Sequence, residues 1–353
     1  MRLNWRGKGN YAYACARVRA KKALLLTRDN YPKLLMMDLN EIARFLGETQ
    51  YQTEMAELGM KFEGVNLIEM GTSRNLAHVN RQILSFCKGD LRQMVENYLS
   101  RWDTYNIKTI LRGKFYGATA DEIQEDIVAA GRFSEEYLNF LISLNGVSEV
   151  LEELRKKEGL VIPDEVRAAY DSSGGLGPIE DYLDKTYFSD LLSCIACGTK
   201  AERILKDFLR KEVDIRNVMT LLKTKRAKMP AEKIATFMID GGFELGSSDL
   251  AALAGVETYD QVVSDLSKLS FYEEIKDPLE RSKQTGSLTD VALAMQKVLA
   301  SKSQSFSHIH PLSVLPIVDY MVRKKIEVDN IRIIARGKES GLDSEQIKKL
   351  LVI

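Results

Sequence analysis

Apolar residues recur at spacings of three and four along most of the chain, which is the pattern of amphipathic helices. The pattern is clearest in Leu39–Leu46, Leu91–Leu99, Ala118–Ala130, Ala201–Leu209 and Glu345–Val352. No convincing series of alternating β-branched residues indicates strands. The sequence therefore predicts an all-α fold.

Two polar segments interrupt this pattern and predict connections between helices. Asp171–Pro178 contains glycines and a proline, which are typical of a loop. Ser301–Ser307 is also polar and follows the helix predicted around Val291–Leu299.

Three segments of the chain align with one another without a gap. Each is anchored by an asparagine, at Asn106, Asn217 and Asn330, and the separations are 111 and 113 residues (217 − 106 and 330 − 217). An isoleucine lies seventeen positions after each asparagine, and these are Ile123, Ile234 and Ile347. An acidic residue lies three positions before it, and these are Asp103, Asp214 and Glu327. Self-similarity at a fixed period is the signature of a repeat architecture.

Cations hold equivalent positions six and eight residues after each asparagine. They are Arg112, Lys114, Lys223, Lys225, Arg336 and Lys338. An asparagine with an upstream acid is typical of a helix start, and glycine with flanking cations is typical of a helix end. We therefore predict a helix that begins at the asparagine and ends near Gly113 or Gly337. A second helix is predicted to start at Thr119, Pro230 or Asp343.

Three helix pairs predict three homologous helical lobes, with boundaries expected at 1–135, 136–245 and 246–353. A weaker repeat upstream of each pair aligns Leu39, Leu144 and Leu253. Three similar lobes can surround a pseudo-threefold axis and form a cup with a central depression. A superhelical solenoid satisfies three repeats equally well, so both arrangements stay open.

Composition narrows the possible functions. The 353 residues include 50 Lys and Arg against 50 Asp and Glu, so no net positive charge attracts nucleic acid. No apolar stretch approaches the ~20 residues of a membrane span, and the N-terminus lacks an apolar signal region, so neither anchoring nor export is expected. Met1–Arg28 is nevertheless rich in Lys and Arg and has no acid. Within it, Arg17 and Arg19 either meet an acidic partner or membrane surface or form a solvated helix face.

Catalytic and metal-binding patterns are weak. Cys194 and Cys197 have the C-x-x-C spacing, which is half of a zinc site, so buried helical cysteines are favoured over a redox or metal role. His308 and His310 are favoured as part of a loop. With three histidines in the chain, no catalytic constellation of Ser, His and Asp is specified, and no phosphate-binding P-loop is present. We therefore expect no catalytic residues, no cofactor, no metal and no small-molecule substrate.

Several motifs resemble one protein family over essentially the whole chain. Tyr11–Arg19 followed by Leu24–Leu26 is similar to the opening helix of the C subunit of archaeal and bacterial A/V-type ATP synthases, related to the d subunit of the eukaryotic vacuolar proton pump. Trp102, Asp103 and Asn106–Lys114 resemble the family's helix-pair signature. A C-terminal signature is matched by Pro316, Tyr320, Glu327, Asn330, Arg332, Arg336, Gly337 and Lys338. In the middle copy Thr224 replaces the glycine, so a different turn is expected there.

The resemblance implies a non-catalytic, funnel-shaped subunit of the central stalk. Such a protein lies peripherally on the cytoplasmic face of the cell membrane, with the rotor (proteolipid) ring as one partner. Its central socket receives the shaft subunits, and it couples rotation driven by protons or sodium ions to ATP synthesis.

The cations of the repeat, with Arg17, Arg19 and Arg332, are then candidates for the shaft or ring interface. The competing interpretation is that the repeat cations complement the negative end of the helix dipole. The alternative function is a soluble helical-repeat scaffold that binds proteins.

Overall fold

The computed structural model describes residues 9–195 and 197–353, and within this part of the chain every regular element is helical. In chain order the α-helices are α1 (Tyr11–Lys22), α2 (Asn30–Met36), α3 (Leu39–Gly47), α4 (Gln52–Leu58), α5 (Gly64–Phe86), α6 (Gly89–Leu99), α7 (Arg101–Tyr116), α8 (Ala120–Glu125), α9 (Glu135–Ser143), α10 (Val147–Glu158), α11 (Asp164–Ser173), α12 (Gly177–Cys194), α13 (Lys200–Arg226), α14 (Ala231–Phe237), α15 (Ser247–Gly255), α16 (Tyr259–Asp265), α17 (Tyr272–Thr285), α18 (Thr289–Ile309), α19 (Leu315–Glu339) and α20 (Ser344–Lys349). The prediction of an all-α fold is confirmed.

The chain forms two compact units, and each is built from two stretches of sequence. The first contains the chain up to Tyr187 together with Glu327–Leu342, and the second contains Phe188–Ile326 together with Asp343–Ile353. Helices α12 and α19 each contribute residues to both units. The division into three lobes at 1–135, 136–245 and 246–353, arranged around a central socket, stays a prediction.

The first two copies of the repeat build equivalent cores, one in each unit. In the first unit, Ile107, Ile110 and Leu111 of α7 pack in a cluster with Ile123 of α8. In the second unit, the matching residues of α13 and α14 do the same, and they are Val218, Leu221, Leu222 and Ile234. Burial at matching positions confirms that the repeat places one apolar face inward.

The three anchoring asparagines do not begin helices, so this part of the prediction is wrong. Asn106 lies within α7, Asn217 within α13 and Asn330 within α19. Each is at most 1% exposed. The asparagine and its upstream acid imitate a helix start in sequence, but they occupy two successive turns on the buried face of an established helix.

The first helix of each pair also ends later than Gly113 or Gly337. The residue eleven positions after each asparagine has a left-handed backbone, with φ of +74° at Gly117, +54° at Lys228 and +70° at Gly341. The next amide then donates to the carbonyl five residues earlier, as in Ala118 to Gly113, Met229 to Thr224 and Leu342 to Gly337. This is the Schellman cap, so the middle copy makes the same turn and Lys228 adopts the conformation for which glycine is preferred.

The second helices begin where the sequence predicts. The side chains of Thr119 and Asp343 accept a hydrogen bond from the backbone amide three positions on. The side chains of Glu122 and Gln346 accept in turn from the backbone amides of Thr119 and Asp343, which completes two capping boxes. Pro230 immediately precedes α14. A proline needs no hydrogen bond for its nitrogen, so it suits this position.

Of the two predicted connections, one is shorter than expected and the other is absent. Only Gly174–Leu176 separates α11 from α12, and α18 continues through Ser301–Ser307. Ser303 and Ser307 are buried, and the Ser303 hydroxyl lies 3.1 Å from Asp319 Oδ1. The polar composition of this segment indicated a connection, but the segment is helical and two of its serine side chains are buried.

The weaker upstream repeat is out of register. Leu39 begins α3, whereas Leu144 follows the last residue of α9 and Leu253 lies inside α15. The next helices to begin start at Leu39, Val147 and Tyr259, which lie 0, 3 and 6 residues after these leucines.

Candidate functional site

The repeated asparagines hold a connecting segment by two hydrogen bonds. Asn106 Nδ2 donates to the Val128 carbonyl over 2.8 Å, and the Val128 amide donates back to Asn106 Oδ1 over 2.9 Å. Asn217 makes the same pair with Ile239, at 2.8 Å in both directions. In both copies the side-chain amide substitutes for a backbone partner and fixes a segment 22 residues downstream (128 − 106 and 239 − 217).

The acid one turn earlier holds the following residues of the same segment. Asp103 accepts the amides of Arg132 and Phe133, each over 3.0 Å. Asp214 accepts three amides, those of Phe243, Glu244 and Leu245, over 2.8–3.1 Å. Burial raises the pKa of both carboxyls, and these backbone hydrogen bonds oppose the shift.

A glycine lies against each carboxylate, at the same distance in sequence from the acid. A Cβ on Gly131 would come within 2.1 Å of Asp103 Oδ1, and a Cβ on Gly242 within 2.2 Å of Asp214 Oδ1. Both glycines lie 28 residues after the acid (131 − 103 and 242 − 214). Their spacing was a sequence signal for this contact that the helix-start interpretation missed.

In the third copy the acid holds the N-terminal part of the chain. Glu327 accepts the Leu26 amide over 2.5 Å, the Gln50 side-chain amide over 3.0 Å and the Tyr51 hydroxyl over 2.6 Å. All of these residues belong to the first unit. The N-terminal segment therefore supplies hydrogen-bond donors to Glu327 of α19, as the downstream segments do for Asp103 of α7 and Asp214 of α13.

The three lysines of the repeat bind the C-terminal ends of other helices. Lys114 Nζ donates to the Ile142 carbonyl at the end of α9. Lys225 donates to the Ala254 carbonyl at the end of α15 over 2.6 Å, and Lys338 to the Leu35 carbonyl at the end of α2 over 2.8 Å. A cation that meets these unpaired carbonyls also favours the negative end of the helix dipole. These lysines thus complement the dipoles of neighbouring helices.

The other repeat cations differ between copies. Arg112 binds Glu180 of α12 through two nitrogens, at 2.5 and 2.9 Å, and Arg336 binds Glu69 of α5 in the same way. Arg332 also lies within ion-pair distance of Glu69, at 3.7 Å. Lys223 is exposed, and the described part of the chain gives it no ion pair.

The cations of α1 have different surroundings from the repeat cations. The Arg17 guanidinium lies 4.8 Å from the Phe86 ring centroid and donates to the Tyr13 hydroxyl over 2.9 Å. Arg19 is exposed on the same helix. Three further basic residues of this segment, Arg2, Arg6 and Lys8, fall outside the described residues. The nine candidate interface cations are divided between the two units, with Lys223 and Lys225 in the second.

The cysteines differ from the prediction of buried helical thiols. Cys194 is exposed at the end of α12, and Cys197 is partly exposed outside any helix, with φ of +56°. His308 lies in the last turn of α18 and His310 just follows it. Within residues 9–195 and 197–353, no group of three or more His, Cys, Asp or Glu residues is arranged to hold a metal ion.

One carboxyl of α12 has an unusual pKa. Burial, with the neighbouring Asp184 and Glu180, raises the pKa of Asp181 to about 6 despite Lys185 and Lys108. Because the folded protein binds this proton more tightly than the unfolded chain does, the fold loses stability as the pH rises from about 4, the ordinary pKa of Asp, to about 6, and the loss is complete above that pH.

We expect Asp181→Asn to increase the free energy of unfolding at neutral pH by about 1–3 kcal/mol, with the gain disappearing as the pH falls towards 4. Urea unfolding between those pH values measures it. Glu165→Gln, at an exposed position of α11, is the matched control and should change little. An Asp181 variant whose advantage is the same at every pH would contradict this electrostatic explanation.

Comparison with known proteins gives a consistent result. A sequence profile of the family described as ATP synthase (C/AC39) subunit matches residues 14–350. The chain belongs to this family. It is 37% identical over 350 residues to the C subunit of the A-type ATP synthase of Methanosarcina mazei, covering 99% of this chain and 94% of the relative. It is 34% identical to the C subunit of the Haloferax volcanii A-type ATP synthase, covering 98% and 99%.

The family confirms the resemblance predicted from the motifs and the expectation of a non-catalytic ATP synthase subunit. Within the described residues, no helix is both long and apolar enough to span a membrane.

Proposed function

We propose that this protein is a central-stalk subunit that couples the rotating shaft of an A-type ATP synthase to the membrane rotor ring. In this role it binds the shaft subunits on one side and the proteolipid ring on the other, peripherally at the cytoplasmic face of the membrane. Rotation driven by protons or sodium ions is thereby coupled to ATP synthesis elsewhere in the complex. The relatives are named as the C subunit of A-type ATP synthases, which supports membership of such a complex.

The observation that carries the mechanical part of the proposal is the repeated buried anchor. In α7 and in α13, an Asp and an Asn one turn apart fix the connecting segment through four or five hydrogen bonds. Such bonds are stronger when buried and one partner is charged. A subunit that transmits torque needs stiff connections between its helices, and these anchors supply stiffness without any chemical step.

The interface itself is proposed to use charge. Among the repeat cations, Lys223 is exposed and is not occupied by an ion pair within the described part of the chain, so it is available to an acidic position on the shaft. Charged pairs of this kind contribute more to association rate and register than to affinity. Arg112 and Arg336 are already bound to internal carboxylates, and their reversal would disturb the fold as well as any interface.

Reconstitution with purified shaft subunits and rotor ring tests the proposal. We expect the wild-type protein to bind both, and Lys223→Glu to slow association with the shaft roughly tenfold at low salt, with the difference shrinking as salt rises. Lys297→Glu, at an exposed position of α18, is the matched charge control and should behave like the wild type. Binding to neither partner would overturn the function. If Lys223→Glu and Lys297→Glu changed the rate of association with the shaft equally, the role of Lys223 would be overturned.

A soluble helical-repeat scaffold is the alternative function. It predicts binding of isolated partner helices without affinity for the rotor ring, so the ring arm of the same experiment separates the two.

A further inference from the structure

A chain of hydrogen bonds joins α1 to α4 across the face of α5. Lys21 Nζ donates to Gln82 Oε1 over 2.5 Å, and Gln82 Nε2 lies 2.7 Å from His78 Nε2. His78 Nδ1 lies 3.1 Å from Glu54 Oε1, and the other oxygen of this carboxylate accepts from Asn75 over 3.0 Å. Glu54 is only 5% exposed, so the chain ends on a buried carboxylate.

The chemistry of these groups fixes the proton on the His78 ring. A lysine ammonium can only donate, so the Gln82 oxygen must face Lys21 and the Gln82 NH₂ group must face His78. His78 Nε2 therefore accepts a hydrogen bond and carries no proton. These contacts fit the neutral tautomer that carries its ring proton on Nδ1 and donates it to Glu54.

Addition of a proton to His78 breaks this arrangement at Gln82. Both ring nitrogens then donate, and the Nε2 proton meets the NH₂ group of Gln82. If the amide turns over to accept this proton, its NH₂ group meets the ammonium of Lys21. In the first orientation Gln82 keeps its bond to Lys21 and loses its bond to His78, and in the second it loses its bond to Lys21. Protonated His78 therefore competes with Lys21 for the single acceptor oxygen of Gln82, which weakens the hydrogen bond that ties α1 to α5. The bond to Glu54 persists in both states, because Nδ1 donates in both.

We propose that His78 is a proton-responsive latch that holds the C-terminal half of α1 against α5. The buried surface of α1 is small, because its buried side chains are Ala14, Cys15 and Val18. Its N-terminal end is fixed independently of pH, since Asn10 Nδ2 donates to the Phe86 carbonyl over 2.8 Å. The chain just after α1 is also held, because Gln50 Nε2 donates to the Leu24 carbonyl over 3.1 Å, so loss of the latch loosens α1 between these two fixed points.

The His78 ring is accessible to solvent and has charged groups around it. The His78 side chain is 49% exposed and lines a cavity of about 280 Å³. The charged groups facing this region from the packed elements are Arg17 and Lys21 of α1, Glu54 and Glu57 of α4, Arg74 and Arg81 of α5, Glu125 of α8 and Glu135 of α9. Of these groups, Glu54 contacts the ring directly, at 3.1 Å. Burial and the nearby Arg17 lower the pKa of Lys21, so its ammonium depends on the acceptor that the latch provides.

Thiol labelling of the full-length protein tests the latch. Cys15 lies in α1 and is 0% exposed, whereas Cys194 is exposed and serves as a reference in the same molecule. The measurement is the labelling rate of Cys15 relative to Cys194 with a small aromatic disulfide, at about pH 7.5 and about pH 5.5. At each pH, the Cys15-to-Cys194 rate ratio of the wild type is divided by the same ratio for the His78→Gln variant. We expect this normalised value to rise about three- to tenfold when the pH falls from about 7.5 to about 5.5.

His78→Gln is the matched control because a glutamine can donate to Glu54 and accept from Gln82 without titrating. Lys21→Met removes the tie at the α1 end, so Cys15 should label faster at both pH values with no further gain on acidification. If the wild type and His78→Gln respond identically to pH, the latch is wrong. The latch is also wrong if Lys21→Met labels as slowly as the wild type at the higher pH.

Discussion

Asp214→Ala should be among the most destabilising single substitutions in this protein, lowering the free energy of unfolding of the second unit by about 3–5 kcal/mol. Asp214 is 0% exposed and accepts the amides of Phe243, Glu244 and Leu245. Alanine leaves these amides without their acceptor, and it leaves space where Gly242 approaches the carboxylate. Urea unfolding followed by circular dichroism measures the loss.

Two further variants separate the anchor from general effects of removing a charge. Asp277→Ala removes an exposed carboxylate from α17 of the same unit and should cost less than about 0.5 kcal/mol. Asp214→Asn keeps one acceptor oxygen but turns an NH₂ group towards the donors, so it should lie between the wild type and alanine. Equal stability of Asp214→Ala and Asp277→Ala would show that the anchor contributes nothing.

Truncation of the repeated isoleucines should have a comparable effect. Ile123, Ile234 and Ile347 are at most 3% exposed, and each is the equivalent residue of its copy. Replacement by alanine should cost about 2–5 kcal/mol in each case, because it removes buried methyl groups and leaves a cavity. Thermal and urea unfolding of the three single variants provide the measurement.

An exposed isoleucine calibrates this series. Ile309 is 65% exposed at the end of α18, so Ile309→Ala should leave unfolding nearly unchanged. If all three repeat variants unfolded like Ile309→Ala, the register of the repeat would be refuted. Similar losses at Ile123 and Ile234 would show that the equivalent cores of the two units are also energetically equivalent.

Local patterns predicted the parts of this protein that local chemistry controls. Helical periodicity indicated the all-α fold, and the positions of Thr119, Pro230 and Asp343 indicated the starts of three helices. The repeat register identified the buried apolar face because one side of a helix must leave water wherever it packs. The motifs shared by the three copies also pointed to the family.

The same local patterns misplaced the polar anchors. An acid three residues before an asparagine is compatible with a helix start and also with two turns of a buried helix face. What separates these possibilities is the partner of the side chain, which for Asn217 is Ile239, 22 residues away. The cations were ambiguous for the same reason, since Lys225 reaches a carbonyl at the end of α15 that no spacing in the sequence identifies.

By itself, then, the sequence determined the all-α fold, the register of the repeated apolar face and the family, because these follow from residue preferences and spacings along one chain. Tertiary structure alone decided that the repeated register carries buried hydrogen-bonded anchors, and that Glu327 binds the N-terminal segment through Leu26 and Tyr51. The physical reason is that a polar side chain becomes tolerable in a core only when a specific distant donor or acceptor meets it. That partner is chosen by the folding of the whole chain.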